Sequence, residues 1–333
     1  MTIDIFCEVI DYYGDVAVAM RLALAVKAKK PAWVIRFFCN NYSFFNKLFN
    51  YDDTGSYRGI RLYNDDEAAK LNKADAAIEM LACQLPVGYQ RPPLVINLEY
   101  FTAESWAGGY HLQPSLIGGG SKKYFFMPGV TNGTGGLVSN NTLNINKKNF
   151  FSMFNSQCLI FNLYASLYLY HYNIDELAAQ PATAFFIVSP KPKLLPKNCI
   201  HLPHLYLSDY DKLVQLCDYN LVRGEDSLSR ALLSGKPFLW QAYKQEEDYH
   251  LVKVKALLEW AAANPQLSSE QVALIKQFKE TFITINNNGQ LNLNFIEQNY
   301  AKLAGITQIL TTAINSLGTQ EDNLIDFISK NSK

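Results

Sequence analysis

Short apolar runs that alternate with helical stretches, in two successive series, constrain this chain more than any other feature. "IDIFCEVI" (residues 3–10), "AWVIRFFC" (32–39) and "PLVINLEY" (93–100) read as strands. "VAVAMRLALAVKAKK" between the first two has helical spacing and must stop at Pro31. "IRLYN" (60–64) and "ADAAIEML" (74–81) supply further strand and helix pieces. From Gly118 to Asn149 the texture turns to Gly, Ser, Thr and Asn around an aromatic interruption, "KKYFFMPG", as in long loops near a site followed by a linker.

A second series starts near Phe150. "CLIFNLY" (158–164), "ATAFFIVS" (182–189) and "NCIHL" (198–202) read as strands. "SLYLYHYNIDELAAQ" (166–180) and "SDYDKLVQLC" (208–217) read as helices, so the aromatic stripe in the first of them is expected to be helix packing. An apolar run from Tyr219 to Val222, a helix, the strand "KPFLWQ" and the long helix "EEDYHLVKVKALLEWAAA" follow, and from Ser268 onward the pattern is almost wholly helical. Alternation of this kind implies parallel sheets covered on both faces, with ligands outside the carboxyl ends of the strands. The expected architecture is α/β: two Rossmann-like domains facing each other across a cleft, with a helical C-terminal tail. The expected boundaries are 1–150, 151–315, and a closing helix over 316–333 that returns to the first domain.

Charge narrows the function. Lys plus Arg and Asp plus Glu are both 30, so the net charge is zero, and a dedicated nucleic-acid or anionic-membrane binder would carry a basic excess. No apolar run of about 18 residues occurs, so no span is expected. "MTIDIFCEVIDYYGD" lacks the basic leader of a signal peptide, and the six cysteines hold no Cys-x-x-Cys pair, which suits reduced thiols and a cytoplasmic location. His201 and His204 are the one close histidine pair, without Cys or a carboxylate cluster at zinc spacing. His111, His171 and His250 lack partners at readable spacing and are expected on the surface or satisfied in the core.

The stretch "YNLVRGEDSLSR" (219–230) packs unusual charge between a strand and a helix. If Val222 ends the strand, Gly224 gives a tight turn and Asp226 or Ser227 caps the helix. The backbone N–H groups of that first turn then form an anion site, to which Arg223 adds a bidentate grip and Ser227 a hydroxyl. Glu225 must point elsewhere, toward a sugar hydroxyl or a cation. The plainer reading of the same residues is an N-cap with an exposed ion pair.

"IDYYGDVAV" places Asp11 and Asp15 four apart around Gly14, where the first strand gives way to the first helix. Two carboxylates suit a base, a cation clamp or a metal; Asp15 as a plain N-cap is the competing reading. No Gly-x-Gly-x-x-Gly occurs there, which argues against a dinucleotide enzyme. Asp209-Tyr210-Asp211 has the spacing of a metal-dependent sugar-nucleotide transferase motif but also opens a predicted helix, where acids complement the dipole. "NYDDTG" and "YNDDEA" read as solvated turns.

Taken in order, "DIFCEVIDYYGDVAVAMRLA", "INLEYFTAESW", "KKYFFMPGVTNGTGGL", "DYDKLVQLCDYNLVRGEDSLSRALLSGKPFLW" and "QEEDYHLVK" resemble the protein-arginine rhamnosyltransferases of translation elongation factor P, the EarP family. The likeness runs from residue 4 to about residue 255. It implies a GT-B fold with an acceptor-binding first domain and a nucleotide-sugar-binding second domain. It also implies inverting transfer of L-rhamnose from dTDP-β-L-rhamnose to one arginine of elongation factor P, without a metal. By the same resemblance Asp11 and Asp15 match the family's two aspartates, Asp15 as the base, and Glu225 matches its essential glutamate. Arg223, Gly224, Asp226 and Ser227 fall in the donor diphosphate segment, and Asn97, Glu99 and Tyr100 in a segment of the acceptor domain. His204 and Leu207 stand where the family carries a Phe and a Gln around the nucleotide base; a ring stack survives that change, a Gln contact does not. "TNGTGG" lacks the basic residue common in the matching loop, and the chain is shorter than is usual in the family. The alternative within the fold is a GT-B enzyme with another sugar nucleotide or acceptor. A catalytically dead scaffold that only binds the factor would not need Asp11, Asp15 and Glu225.

Overall fold

The computed structural model describes the chain except residues 11–12, 44, 52–53, 118–119, 141–145, 155–159, 190, 192, 203–204 and 333. Two compact units emerge. One comprises Met1–Ser139 with Ile314–Lys333, the other Asn140–Ala313. These junctions lie at 139/140 and 313/314, where the sequence reading set 150/151 and 315/316.

Unit 1 is built on an eight-stranded sheet: β1 (Thr2–Cys7), β2 (Val34–Cys39), β3 (Ser56–Tyr57), β4 (Ile60–Asn64), β5 (Ala76–Met80), β6 (Leu94–Leu98), β7 (Pro114–Ser115) and β8 (Lys122–Phe126). Their spatial order is β3-β4-β2-β1-β5-β6-β8-β7, parallel throughout except at β3 and β7, which close the edges as two-residue antiparallel strands. β1, β5 and β6 are largely apolar and almost wholly buried, as central parallel strands must be, with Asp4, Glu79 and Asn97 as their buried polar residues. α1 (Gly14–Lys29) packs on β1 and β2, its small residues Ala17, Ala19 and Ala23 buried, and ends at Lys29, with Lys30 as its C-cap before Pro31. Two four-residue helices, α2 (Phe45–Leu48) and α3 (Ala107–Tyr110), complete the first segment.

Unit 2 opens with α4 (Lys147–Ser152), then β9 (Leu163–Leu167), α5 (Ile174–Ala178), β10 (Thr183–Ile187), β11 (Cys199–His201), α6 (Leu207–Leu216), β12 (Tyr219–Arg223), α7 (Gly224–Ser234) and β13 (Phe238–Gln241). Four helices follow, α8 (Tyr249–Ala262), α9 (Ser269–Asn288), α10 (Leu293–Gln298) and α11 (Tyr300–Asn315). The strands form a wholly parallel sheet of order β11-β10-β9-β12-β13. Phe150 and Phe151 of α4 pack one of its faces with Phe186, Leu202 and Leu213. The chain then re-enters unit 1 through α12 (Gln320–Asn331), which lies along α1. There Lys29 pairs with Asp322, Glu321 accepts from the Ser139 N–H, and Leu137 bridges to Thr319.

Several sequence expectations give way. The helix expected over 166–180 is instead the strand β9 from Leu163 to Leu167, a loop, and one short helix capped by Asn173. Its aromatic residues suit a pleated setting, and pairing with β10 and β12 fixes it there. "KKYFF", read as an interruption in a loop, is β8, paired with β6. "YNDDEA" is not a solvated turn: Glu67 accepts from the Asn64 N–H and starts a 3-10 helix over Asp65–Lys70. The long helix expected from Glu246 begins as α-helix only at Tyr249, because Glu247 and Asp248 are left-handed, with φ of 52° and 55°. His111 is a satisfied interior residue. Its Nδ1 accepts from the Met127 N–H at 3.0 Å, and burial pushes its pKa down to about 4. Among the described residues no helix is long and apolar enough to cross a membrane.

Candidate active site

In unit 2 the chain leaves β9 toward β10 on one side of the sheet and leaves β12 toward β13 on the other. The carboxyl ends of β9 and β12 therefore stand side by side at a topological switch point, where open α/β sheets bind ligands. The strand β12 continues one residue further than expected, to Arg223. Gly224 follows with φ of 69°, a conformation that only glycine adopts without strain. This turn points the chain into α7, and the Trp240 Nε1–H donates to the Gly224 carbonyl at 2.9 Å and holds it. Neither Asp226 nor Ser227 caps the helix, as the sequence reading had it. Both lie inside its first turn, and Arg223, the residue before it, makes no side-chain capping bond. The reason is the glycine: a left-handed Gly224 starts the helix itself and moves the following residues inward by a position or more.

Arg223 is the best-defined side chain of the group. Its guanidinium lies 4.1 Å from the ring centroid of Tyr168 and 4.5 Å from that of Tyr170, and it donates to the Tyr168 hydroxyl (3.0 Å) and the Leu169 carbonyl (3.3 Å). Gln241, at the end of β13, accepts from the Tyr170 and His171 N–H groups and so ties the loop after β9 across the end of β12. The tyrosines were in the stripe read as helix packing. Their alternation at a strand end is the signal that could have revealed them. Glu225 turns toward α8, where Lys253 Nζ stands 2.7 Å from its Oε1. Ser227 is buried and Asp226 half-buried. Leu207, the first residue of α6, is also buried, while His204 lies outside the described residues.

Asp209 of the "DYD" stretch sits in the first turn of α6 and pairs with Lys212 at 2.7 Å, and Tyr210 is buried. This is the structural reading of that motif. Among the described residues no three His, Cys, Asp or Glu side chains gather as metal ligands would.

Unit 1 has its own switch point, between β1 and β5, and Asp15 sits beside it. Asp15 is the second residue of α1, 5% exposed, and its Oδ2 accepts from the Ile10 N–H at 2.9 Å. It closes the loop between β1 and α1 from inside the helix, while Tyr13 occupies the capping position. Asp11 lies outside the described residues. Further along the same sheet, Asn97 of β6 is buried and donates to Glu99 Oε1 at 2.6 Å; Tyr100 beyond it is exposed. Opposite Asn97 in register stands Glu79 of β5, also buried, which pairs with Lys123 of β8. The Glu99 carboxyl is pushed up by burial, an effect that Glu79 adds to and that Asn97 and Lys123 oppose. Glu79 and Lys123 were not singled out in the sequence. An acid inside the apolar run "ADAAIEML" was the available sign.

Comparison with known proteins decides the identity of this arrangement. The family described as Elongation-Factor P (EF-P) rhamnosyltransferase EarP matches residues 3–180 and 195–329. The chain belongs to the EarP family. The protein-arginine rhamnosyltransferase of Pseudomonas aeruginosa is 31% identical to it over 308 residues, spanning 77% of this chain and 80% of that one. That of Shewanella oneidensis is 30% identical over 319 residues, with 77% and 79% covered. A solved EarP structure, described as the basis of arginine glycosylation of translation elongation factor EF-P, superposes with a TM-score of 0.64 over 99% of each chain at 19% identity. The spinosyn rhamnosyltransferase SpnG superposes with a TM-score of 0.55 at 11% identity. As a member of the EarP family the chain is a glycosyltransferase, and its two parallel-rich sheets with C-terminal helices are those of the GT-B fold.

Proposed function

We propose that this protein transfers L-rhamnose from dTDP-β-L-rhamnose to an arginine side chain of translation elongation factor P, with inversion at the sugar and without a metal ion. The observation that carries the donor half is the turn after β12. An arginine held between two tyrosine rings precedes a left-handed glycine and the first turn of a helix, at whose N-cap position it stands. First-turn amides, the helix dipole and a guanidinium suit a diphosphate, and together they stabilise its departure as a cation would. The rings fix Arg223 before the donor arrives, a stack of this kind contributing about 0.5–2 kcal/mol. On this reading Ser227 adds a hydroxyl, Asp226 shapes the turn, and Glu225 orients the sugar or supports its oxocarbenium-like centre.

The acceptor half is assigned to unit 1, with Asp11, Asp15, Asn97, Glu99 and Tyr100 in contact with the arginine or its flanking chain. Arginine is a hard nucleophile to prepare. A guanidinium holds its proton far more tightly than an aspartate would, so removing that proton before attack would cost roughly 13 kcal/mol. Carboxylates alongside raise that cost, because they favour the charged guanidinium. The aspartates act differently: they hold N–H groups and polarise the guanidinium, and Asp15 takes the proton as the C–N bond forms and the attacking nitrogen becomes acidic. The buried place of Asp15 and its bond to the Ile10 N–H keep that carboxylate in one orientation.

A second reading keeps the chemistry and changes the nucleotide. Leu207 is buried where the family carries a glutamine, so it offers the base no hydrogen bond. Competition between dTDP and UDP separates the two; equal affinity favours the broader donor. The setting proposed is the cytoplasm, in keeping with described cysteines that are all free and buried, and neither nucleic acid nor membrane is proposed as a partner. The decisive experiment is incubation with elongation factor P and dTDP-β-L-rhamnose, with and without EDTA, followed by mass spectrometry. One rhamnosyl added to one arginine in both samples is the expected result. No mass gain overturns the function, and gain only without EDTA overturns the metal-free mechanism.

A further inference from the structure

Glu225 carries an electrostatic problem that α8 answers. Its carboxylate projects from the first turn of α7, next to the amides assigned to the diphosphate, and like charges there oppose donor binding. The helix dipole eases this only in part. Lys253 Nζ lies 2.7 Å from Glu225 Oε1, and the two side chains are 19% and 22% exposed. Solvent and salt therefore screen this pair less than a surface pair, and breaking it from one side leaves a mostly enclosed charge behind.

The cation also comes from a separately anchored element. Glu247 and Asp248 turn the chain left-handed just before α8, and α8 packs along α9, so the stem of Lys253 starts from a fixed place. Arg223 cannot do the same work, because its guanidinium is held by Tyr168, Tyr170 and the Leu169 carbonyl. We infer that Lys253 is a positioning residue of the transfer reaction: it draws the Glu225 carboxylate toward α8 and neutralises it, so that the first turn of α7 accepts a nucleoside diphosphate while Glu225 stays beside the sugar. This rests on the reading of the α7 turn as the donor site. Lys253 acts here through Glu225 rather than by touching phosphate, and that distinction is measurable.

The test is a double-mutant cycle on the full chain, with dTDP affinity read by calorimetry for the wild type, Lys253→Met, Glu225→Gln and the combined variant. Lys253→Met is expected to weaken dTDP about tenfold, a change of about 1.4 kcal/mol. In the Glu225→Gln background the same substitution is expected to change affinity by no more than about twofold, since the charge it compensates is gone. Lys253→Arg keeps the cation and is expected to keep dTDP affinity near that of the wild type. Lys253→Met is also expected to raise the donor KM while leaving the KM for elongation factor P unmoved. Equal weakening in both backgrounds overturns the inference, because Lys253 would then serve the phosphates or the fold directly. Unchanged affinity in Lys253→Met overturns it as well. A wild-type chain that fails to bind dTDP overturns instead the donor reading on which the inference stands.

Discussion

Replacing Gly224 by alanine tests the geometry of the donor turn with a single methyl group. The position has φ of 69°, and a side chain built there would meet only the Tyr170 hydroxyl, at 3.8 Å. That is an ordinary contact, so the cost of Gly224→Ala is conformational and not steric. A non-glycine residue held left-handed costs about 1–2 kcal/mol. The loss of freedom in the unfolded chain does not rescue it, because alanine stabilises only where the native φ suits it. For a unit the size of Asn140–Ala313, Tm falls by about 2–4 °C per kcal/mol, which gives a drop of about 2–8 °C. The variant can relieve the strain only by rotating the peptide that Trp240 holds through the Gly224 carbonyl, and that rotation swings the first amides of α7 away from the diphosphate. A tenfold loss of dTDP affinity, about 1.4 kcal/mol, is expected by calorimetry, alongside the lower Tm by scanning fluorimetry. A lowered Tm with unaltered dTDP affinity would refute the assignment of this turn to the nucleotide. An unaltered Tm would refute the strain argument itself.

Asp15→Asn keeps an oxygen for the Ile10 N–H and removes the base, so turnover should fall about 10²–10⁴-fold in a rhamnosylation assay while dTDP binding holds; residual turnover near wild type would count against the base role. Arg223→Lys preserves the charge but loses the planar stack between Tyr168 and Tyr170, and dTDP should bind about tenfold more weakly by titration, since the two cations are not interchangeable at a stacked site. Asp65 is pushed up to about 6, by burial first and then by Glu8 and Asp66. Its protonated form favours the folded chain, so the stability it contributes is present below its unfolded pKa and is lost as pH rises through about 6. Asp65→Asn should therefore raise stability by about 1 kcal/mol near neutral pH, after discounting for solvent screening, and by almost nothing near about pH 4; equal effects at both would rule out the titration.

The sequence was legible where a single physical requirement governs a stretch. β1, β2 and β6 are largely apolar because both faces are covered, and the charges that β1 and β2 bury, Asp4 and Arg36, pair with each other. The turn at Gly224 was legible because charge clustered where a strand met a helix. The stretch from Leu163 to Tyr172 was not, since leucine and tyrosine serve either period, and only pairing with β10 and β12 decides for the strand. The tyrosine clamp was missed with it, because two rings on one guanidinium are a contact between neighbouring strand ends. Glu79 with Lys123, and Glu225 with Lys253, are likewise pairings of residues distant in the chain, which no local spacing encodes. The caps went wrong at α7 for a smaller reason: a glycine that begins a helix shifts every position after it.

The return of α12 to the first unit makes that unit a discontinuous object, assembled from two stretches far apart in sequence. Ser139 and Glu321, Leu137 and Thr319, Tyr124 and Phe327 meet only after everything between them has been synthesised. A fragment ending at Ser139 would leave α1 without its neighbouring helix, and so would a truncation after Ala313. The first unit on its own is better made by joining Ser139 to Ile314 through a short linker, since the backbone at Leu137 already lies against Thr319.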